Sequence, residues 1–374
     1  MIRFNKKYTA KNENLYIQDV LSLDTQSGDG KYTKLCYPFL NHGAIDSISY
    51  LTTSCTHSLE MAALLLEIEP GDEVIIPSFT FVSTANAFLL RGAKIIFCDS
   101  QKNNPNLDIQ HVESLITSKT KAVVPVHYAV IACEMDELLL LAEKHRFKII
   151  EDAAQGIGAT YKKKPLGTIG DIGCISFHGT KNISCGEGGA IFINDNSLKL
   201  SAEIIREKGT NRAAFFRGEI DKYGWKTLGS SYLLSDILAA KLLSQLEELE
   251  MITQHRKKIW QTYYDAFENL EKQGKCNLPD LPNYANHNGH IFYLVCNTAS
   301  ERQSLITFLK TNNIQSAFHY LSLHKSDYFN DKYNGDELPN SDRFTDCLLR
   351  LPLYLNFKRK NQHNVIHKIL SFFK

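Results

Sequence analysis

The stretch Ser176-Phe177-His178-Gly179-Thr180-Lys181-Asn182-Ile183-Ser184-Cys185-Gly186-Glu187-Gly188-Gly189 decides how the rest of the chain is read. An apolar run, residues 173–177, delivers a lysine into a turn of Thr, Asn, Ser and Gly, and a second apolar run, 190–193, leaves it. A strand that ends near a lysine and passes into glycine-rich backbone can present an amine at the mouth of a sheet with little steric cover. Taken alone, the same punctuation describes a surface hairpin with a solvated lysine, which is the commoner case. Upstream, Lys148-Ile149-Ile150-Glu151-Asp152-Ala153-Ala154-Gln155 is a second short apolar strand that runs out into an aspartate. A lysine that forms Schiff bases and an acid that pairs with a pyridinium nitrogen are the two protein groups that pyridoxal phosphate (PLP) chemistry requires.

Length and composition bound the problem. A chain of 374 residues suits one large domain plus a smaller one. With 43% hydrophobic and 22% charged residues it reads as an ordinary soluble enzyme. A formal net charge of +1 gives no electrostatic case for nucleic acid or an anionic membrane, so local donors must hold any anionic ligand. The nine cysteines are odd in number and show no CxxC spacing, which points to reduced thiols and away from a disulfide framework or a zinc site. Met1-Ile2-Arg3-Phe4-Asn5-Lys6-Lys7 lacks the apolar core of a signal peptide, and no apolar run approaches the length of a membrane span. The expectation is a cytoplasmic protein with no metal, no nucleic-acid partner and no membrane partner.

Residues 1–35 are polar and weakly periodic and close with Gly28-Asp29-Gly30-Lys31-Tyr32-Thr33; they read as a loop, either a connector or a flap over a site. From residue 48 strands and helices alternate. The strand candidates are 50–53, 73–77, 94–97, 122–126, 148–151 and 173–177. Between them lie helical patterns, one with Leu59, Ala62, Ala63 and Leu66 on one face and another at 135–145. This alternation predicts a mostly parallel sheet with helices on both faces. In such sheets ligands bind at the carboxyl ends of the strands, where Asp152, Lys181 and the turn Ser54-Cys55-Thr56-His57-Ser58 all fall. That turn, at a helix start, can cradle a phosphate or simply cap the helix. Phe79 and Phe81 are core residues unless the strand before them ends at a ligand. Three weak signals thus converge on one edge of one sheet.

Beyond residue 194 the character changes. Residues 198–208 are helical, and 209–229 form a polar, aromatic segment too long for an ordinary connector. Residues 235–270 read as one long helix with Leu238, Leu242, Leu246 and Leu249 on its apolar face. A smaller α/β unit follows, with strands at 290–296 and 316–320 and helices at 302–312 and 362–373. The expected division is 1–235, a large domain, and 236–374, the long helix plus a small C-terminal domain.

On these residues the chain resembles the sugar-nucleotide aminotransferases, fold-type I PLP enzymes, from about residue 28 to the C-terminus. The resemblance rests on Pro70-Gly71-Asp72-Glu73-Val74, Pro77-Ser78-Phe79-Thr80-Phe81-Val82-Ser83-Thr84-Ala85-Asn86-Ala87-Phe88, Glu151-Asp152-Ala153-Ala154-Gln155-Gly156, Ser176-Phe177-His178 with Thr180-Lys181-Asn182, and Gly186-Glu187-Gly188-Gly189. Arg206-Glu207-Lys208-Gly209-Thr210-Asn211-Arg212, Phe215-Phe216-Arg217-Gly218, Gly229-Ser230-Ser231-Tyr232 and Phe318-His319-Tyr320 are similar to the subgroup that makes dTDP-4-amino-4,6-dideoxygalactose.

The resemblance implies roles. Lys181 falls on the lysine that carries PLP as a Schiff base and shuttles the proton; Asp152 falls on the partner of the pyridine nitrogen. Gln155 falls beside the ring hydroxyl, Phe81 over the ring, and Thr56, His57 and Ser176 at the phosphate. Ser231 matches a phosphate contact from the neighbouring subunit, so a homodimer or larger assembly is implied. Lys31, Lys222, His319 and Tyr320 are the implied substrate residues. The implied reaction takes dTDP-4-dehydro-6-deoxy-D-glucose and L-glutamate to dTDP-4-amino-4,6-dideoxy-D-galactose. The product would serve the enterobacterial common antigen or the O-antigen of lipopolysaccharide. The gluco epimer, another nucleotide ketosugar, and a PLP-binding regulator without turnover are the alternatives. The chain departs from the family pattern at His57, where small residues are usual, at Gly179, where a larger one is, and at Val130. The last stands where the pattern looks like a glycine, so a positive φ there would strain it. A lysine at 181 argues against the variant that dehydrates at C3, which carries histidine there. A dehydrogenase would need a GxGxxG turn after its first strand, and Gly28-Asp29-Gly30 leads into no helical pattern.

Overall fold

The computed structural model describes residues 1–43 and 46–374. Seven strands make the central sheet: β1 (Ile48–Thr52), β2 (Glu73–Pro77), β3 (Lys94–Cys98), β4 (Thr120–Val123), β5 (Lys148–Asp152), β8 (Ile172–Ser176) and β9 (Gly189–Ile193). Their order is β1-β9-β8-β5-β4-β2-β3. From β8 to β3 every pair is parallel, and β9 alone is reversed, antiparallel to both β8 and β1. That reversal follows from the lysine turn: residues 177–188, between β8 and β9, hold no crossover helix and pair back on themselves, the Phe177 N–H donating to the Gly188 carbonyl and the Gly179 N–H to that of Gly186, each at 2.8 Å.

Parallel strands buried on both faces should read as continuous apolar runs, and β2 and β8 are buried at every position. Successive residues feed opposite faces. Val74 and Ile76 enter one core with α3 (Cys55–Leu65) and α4 (Val82–Leu89). Ile75, Val123 and Ile149 enter the other with α5 (Ile109–Leu115), α6 (Met135–His145) and, from further along, α9 (Asp236–Leu246). Helix α7 (Lys199–Arg206) continues after β9, and α8 (Arg212–Phe216) lies inside the 209–229 segment. A three-stranded ribbon, β6 (Thr160–Tyr161), β7 (Lys164–Pro165) and β11 (Ala285–Asn286), flanks the sheet.

The N-terminal region corrects the sequence reading. Instead of a loop it holds α1 (Glu13–Leu21) and α2 (Lys31–Leu40). The reason is not local: the buried Asp236 carboxylate accepts from the N–H groups of Tyr32 at 3.0 Å and Thr33 at 2.7 Å, and from the Thr33 hydroxyl at 2.9 Å. An acid two hundred residues away thus satisfies the start of α2. The Gly28–Thr33 stretch is anchored, not a flap, and Gly28-Asp29-Gly30 does lead into a helix. Helix α1, not a strand, precedes it, so no dinucleotide turn results.

The expected helix over 235–270 is two helices, α9 and α10 (Leu249–Lys272), broken at Glu247 and Glu248. Both glutamates receive the N-terminal segment, Glu248 from the Tyr8 hydroxyl at 2.5 Å and Glu247 from that of Tyr16 at 2.7 Å. Tertiary docking therefore overrides the continuous periodicity. Leu242 and Leu246 pack with the central sheet, whereas Ile259, Tyr263 and Phe267 of α10 enter a separate C-terminal core.

That core covers a small antiparallel sheet, β10 (Cys276–Asn277), β12 (Tyr293–Cys296) and β13 (Leu348–Arg350), with α11 (Ala299–Thr311), α12 (Pro339–Cys347) and α13 (Arg359–Phe372). Residues 316–320 form no strand; only Ala317 pairs, with Arg350. Val130 sits at φ +67° next to Ala129 at +52°, so it takes the strained left-handed conformation that a change of loop would have avoided. A β-branched residue there costs on the order of 1–3 kcal/mol. Burial of Val130 and the N–H bond from Val130 to His127 hold the turn in place. All nine cysteines are buried and unpaired, and no helix of the described residues is long and apolar enough to cross a membrane.

Candidate active site

The carboxyl ends of β5 and β8 open into a cavity of about 670 Å³. Among the residues expected at a site, the structure brings Thr56, Phe81, Asp152, Gln155, Ser176, Lys181, His319 and Tyr320 to its walls. Each arrives by a simple route. Asp152 is the last residue of β5, Ser176 the last of β8, and Lys181 follows in the turn, its N–H bonded to the His178 carbonyl at 2.9 Å. Phe81 precedes α4 and is 55% exposed, so it is the cavity-facing aromatic, while Phe79 is fully buried.

Asp152 is 6% exposed. Burial pushes its carboxyl above the usual range, while the bonds from Thr84 and Ala154 and the charges of Lys181 and His127 pull it back. Thr84 Oγ1 donates to Oδ2 at 2.7 Å and the Ala154 N–H to Oδ1 at 3.2 Å. The Lys181 amine is depressed, first by burial; Cys55 and Asp152 raise it and the charge of Arg350 lowers it. A depressed amine has more of its neutral, nucleophilic form at neutral pH.

The start of α3 forms one wall. Ser54 caps it, accepting from the His57 N–H at 3.1 Å, and the helix geometry leaves the N–H groups of Cys55 and Thr56 without partners in the helix. Thr56 and Ser83 share a hydroxyl bond of 2.8 Å on the same wall. Gly189 allows this wall to form: a Cβ there would stand 2.5 Å from the Cys55 nitrogen.

Four expected residues lie elsewhere. The His57 ring turns away to Thr53 and to the edge of Tyr232, so its side chain is no part of the cradle. Lys31 pairs with Asp19 at 2.7 Å. Lys222 and Ser231 are exposed outside the cavity of their own chain. Conversely, the cavity includes residues that the sequence reading missed: Phe4, Asn5, Thr84, Arg256, His290 and Arg350. His290 binds Asn182 at 2.8 Å, and burial holds both His290 and His319 well below the ordinary histidine range, hence neutral. Thr84 lies within one of the family stretches; no sequence signal marked the others of this group, because they meet only through the packing of the N-terminus, α10 and the small sheet against the large one.

The residues present fit PLP. An amine, a buried carboxylate, an open aromatic face and a helix start lie around one cavity, and Gln155 Oε1 is a buried acceptor with no partner among the described residues. Fold and site define a PLP-dependent aminotransferase of fold type I. A profile of the DegT/DnrJ/EryC1/StrS aminotransferase family matches residues 27–370, and the chain belongs to that family. It is 34% identical over 309 residues to an uncharacterized protein of Methanocaldococcus jannaschii, covering 80% of this chain and 79% of that one. It is 32% identical over 330 residues to the spore coat polysaccharide biosynthesis protein SpsC of Bacillus subtilis, covering 86% and 84%. The putative sugar aminotransferase Spr1654 of Streptococcus pneumoniae superposes in its PMP form with a TM-score of 0.92 at 25% identity, over 100% of this chain and 99% of that one. Its PLP form gives 0.90. The protein is a PLP-dependent sugar aminotransferase.

Proposed function

We propose that the protein aminates dTDP-4-dehydro-6-deoxy-D-glucose with L-glutamate, giving dTDP-4-amino-4,6-dideoxy-D-galactose for a surface polysaccharide, the enterobacterial common antigen or an O-antigen. The observation that carries the sugar assignment is the wall formed by His319 and Tyr320 on the cavity that holds Lys181, from the Phe318-His319-Tyr320 motif of the galactose-forming subgroup. His319 Nδ1 pairs with the Tyr128 hydroxyl at 3.1 Å, and the Tyr320 ring stands 6.0 Å from that of Phe81. A neutral, aromatic wall suits an uncharged deoxyhexose.

In this reading Lys181 would hold PLP, Asp152 would serve its ring nitrogen, Gln155 its hydroxyl and Phe81 its ring, while Thr56, Ser176 and the start of α3 would take the phosphate. Bound PLP supplies an electron sink for the carbanion formed on proton removal. The chain supplies the rest. The Lys181 amine takes the proton from the donor carbon and returns one to the sugar carbon. Asp152 keeps positive charge on the ring nitrogen, and the aromatic wall fixes the face of the hexose turned toward Lys181. One half-reaction converts glutamate to 2-oxoglutarate, and the other converts the ketosugar to the aminosugar. Ser231 and the exposed segment carrying Phe216, Tyr223 and Trp225 would complete a neighbour's site, so the active form is a homodimer or larger. Lys222 is assigned to the sugar nucleotide through the same contact.

Product NMR after incubation with the ketosugar and glutamate tests this. Two small couplings of H4, to H3 and H5, are expected for the galacto product. Two large couplings assign the gluco epimer. No product, with the cofactor absorbance unchanged by glutamate, would leave a non-catalytic PLP binder.

A further inference from the structure

His319 and Tyr320 belong to no helix or strand. The chain that carries them is a strap hung between two anchors. At its start Ala317 exchanges backbone bonds of 2.8 and 3.2 Å with Arg350 at the end of β13, so that end belongs to the small sheet. At its far end the strap grips the large sheet instead. Leu323 donates its N–H to the Ser78 carbonyl at 2.9 Å, and the His324 N–H points to the Ser78 hydroxyl at 3.4 Å. That hydroxyl in turn meets Nδ1 of His324 at 2.7 Å. Between the anchors Phe318 and Leu321 are exposed and contribute little packing.

The far anchor is built to hold. Ser78 directly follows β2, is fully buried, and donates its own N–H to the Cys98 carbonyl on β3 at 2.9 Å. The His324 ring, also buried, packs against the rings of Phe97 and Tyr333, with centroids at 6.4 and 5.0 Å. Its Nε2 faces Oδ1 of Asp342 on α12 at 3.6 Å. Burial holds the imidazole below the ordinary histidine range, with Asp342 and Asp99 pulling it up and Lys325 pushing it down, so it is neutral. A neutral ring with its proton on Nε2, toward the carboxylate, leaves a lone pair on Nδ1 for the Ser78 hydroxyl. Phe79 and Phe81 leave the same strand end as Ser78, and the Tyr320 ring meets both of theirs, at 5.8 and 6.0 Å. The serine that holds His324 thus also begins the chain against which the wall rests.

We propose that the bond between Ser78 and His324 is the positioning contact of the sugar site: it fixes where the strap, and with it His319 and Tyr320, stands over the hexose. The proposal rests on the assignment of that wall to the ketosugar. Lys181 and Asp152 do not hang from the strap, since the turn after β8 and the end of β5 carry them. A strap that loses its far anchor therefore shifts against a cofactor pocket that stays in place. The loss falls on the ketosugar half-reaction and spares the glutamate half.

The test is made on the holoenzyme with His324→Leu and His324→Asn, following each half-reaction in single turnover by the cofactor absorbance. Leucine keeps the bulk but offers no acceptor. Asparagine places its amide oxygen where Nδ1 stands, so the bond from Ser78 survives. For His324→Leu the half-saturating ketosugar concentration is expected to rise roughly tenfold, the scale of a buried donor left unpaired. Its limiting rate and its glutamate half-reaction should stay within about twofold of wild type, the pattern of lost binding without lost chemistry. His324→Asn should bring the ketosugar dependence back to near the wild-type value. Ser78→Ala removes the donor from the other side, should match His324→Leu, and replaces it if the leucine variant does not fold. Equal losses in both half-reactions, an unchanged ketosugar dependence, or an asparagine variant no better than leucine would overturn the proposal alone. A wild-type enzyme that aminates no ketosugar would overturn the reading beneath it, and the proposal with it.

Discussion

Thr84 donates its hydroxyl to Oδ2 of Asp152 over 2.7 Å, tying the first turn of α4 to the end of β5. With the Ala154 N–H on Oδ1, both carboxylate oxygens are oriented before any ligand arrives. Asp152→Asn is expected to keep PLP but slow proton removal by about 10²-fold or more, as a loss of preorganised charge does. Near-normal single-turnover rates would place the ring's partner elsewhere.

Thr84→Val removes one neutral donor and should cost about fivefold in rate, near 1 kcal/mol. The pH profile is the sharper readout. Burial raises Asp152 and the Thr84 bond lowers it, so deleting that bond raises the carboxyl further. The ionised form is then lost at higher pH on the way down. The acid limb of activity should move to higher pH than in the wild type; a shift to lower pH would contradict the assignment.

Lys181→Ala should reduce transamination by roughly 10³-fold or more, since nucleophile and proton carrier disappear together. Amine formation followed by chromatography measures it, and more than trace turnover would remove Lys181 from its role.

Gly189→Ala places a methyl 2.5 Å from the Cys55 nitrogen and the Ser54 carbonyl carbon, both backbone atoms that cannot rotate aside. Shifting the start of α3 should weaken PLP binding by tenfold or more, on the order of the 1–3 kcal/mol of a forced close contact. Equilibrium dialysis of the cofactor, with thermal melting of the cofactor-free protein as a control, separates cradle damage from general destabilisation.

Ser231 is exposed, away from the cavity of its own chain. If it serves a neighbouring subunit, a bulky Ser231→Trp variant should be inactive, as should Lys181→Ala. Mixing the two after dissociation should restore activity, because one mixed site carries both native residues. No recovery in mixed oligomers, or an active monomer in sedimentation, would count against a shared site.

The strands of the central sheet, the lysine turn and Asp152 were legible because each is written in adjacent residues. A buried strand is a short apolar run, and a turn is a cluster of glycine and hydroxyl side chains. Val130 shows the limit of one position against a motif: valine in place of glycine pointed to a different loop, yet the residue keeps φ +67°. His57 misled, because a motif position specifies a backbone place while its side chain can turn away. Here the backbone N–H of His57 joins the first turn of α3 as its ring goes to Thr53 and Tyr232.

Periodicity in the amino-acid sequence was enough for the α/β class, the family motifs were enough for the cofactor, and Lys181 and Asp152 could be put at strand ends from adjacent residues. The remainder depended on contacts made in three dimensions. Asp236 makes a helix of residues 31–40, Glu247 and Glu248 break a long helix where the N-terminus docks, and Phe4, Arg256, His290 and Arg350 reach one cavity from distant parts of the chain. The physical reason is common to all of them: each effect comes from a charge or donor satisfied by a partner far away in sequence, and no local pattern records such a pairing.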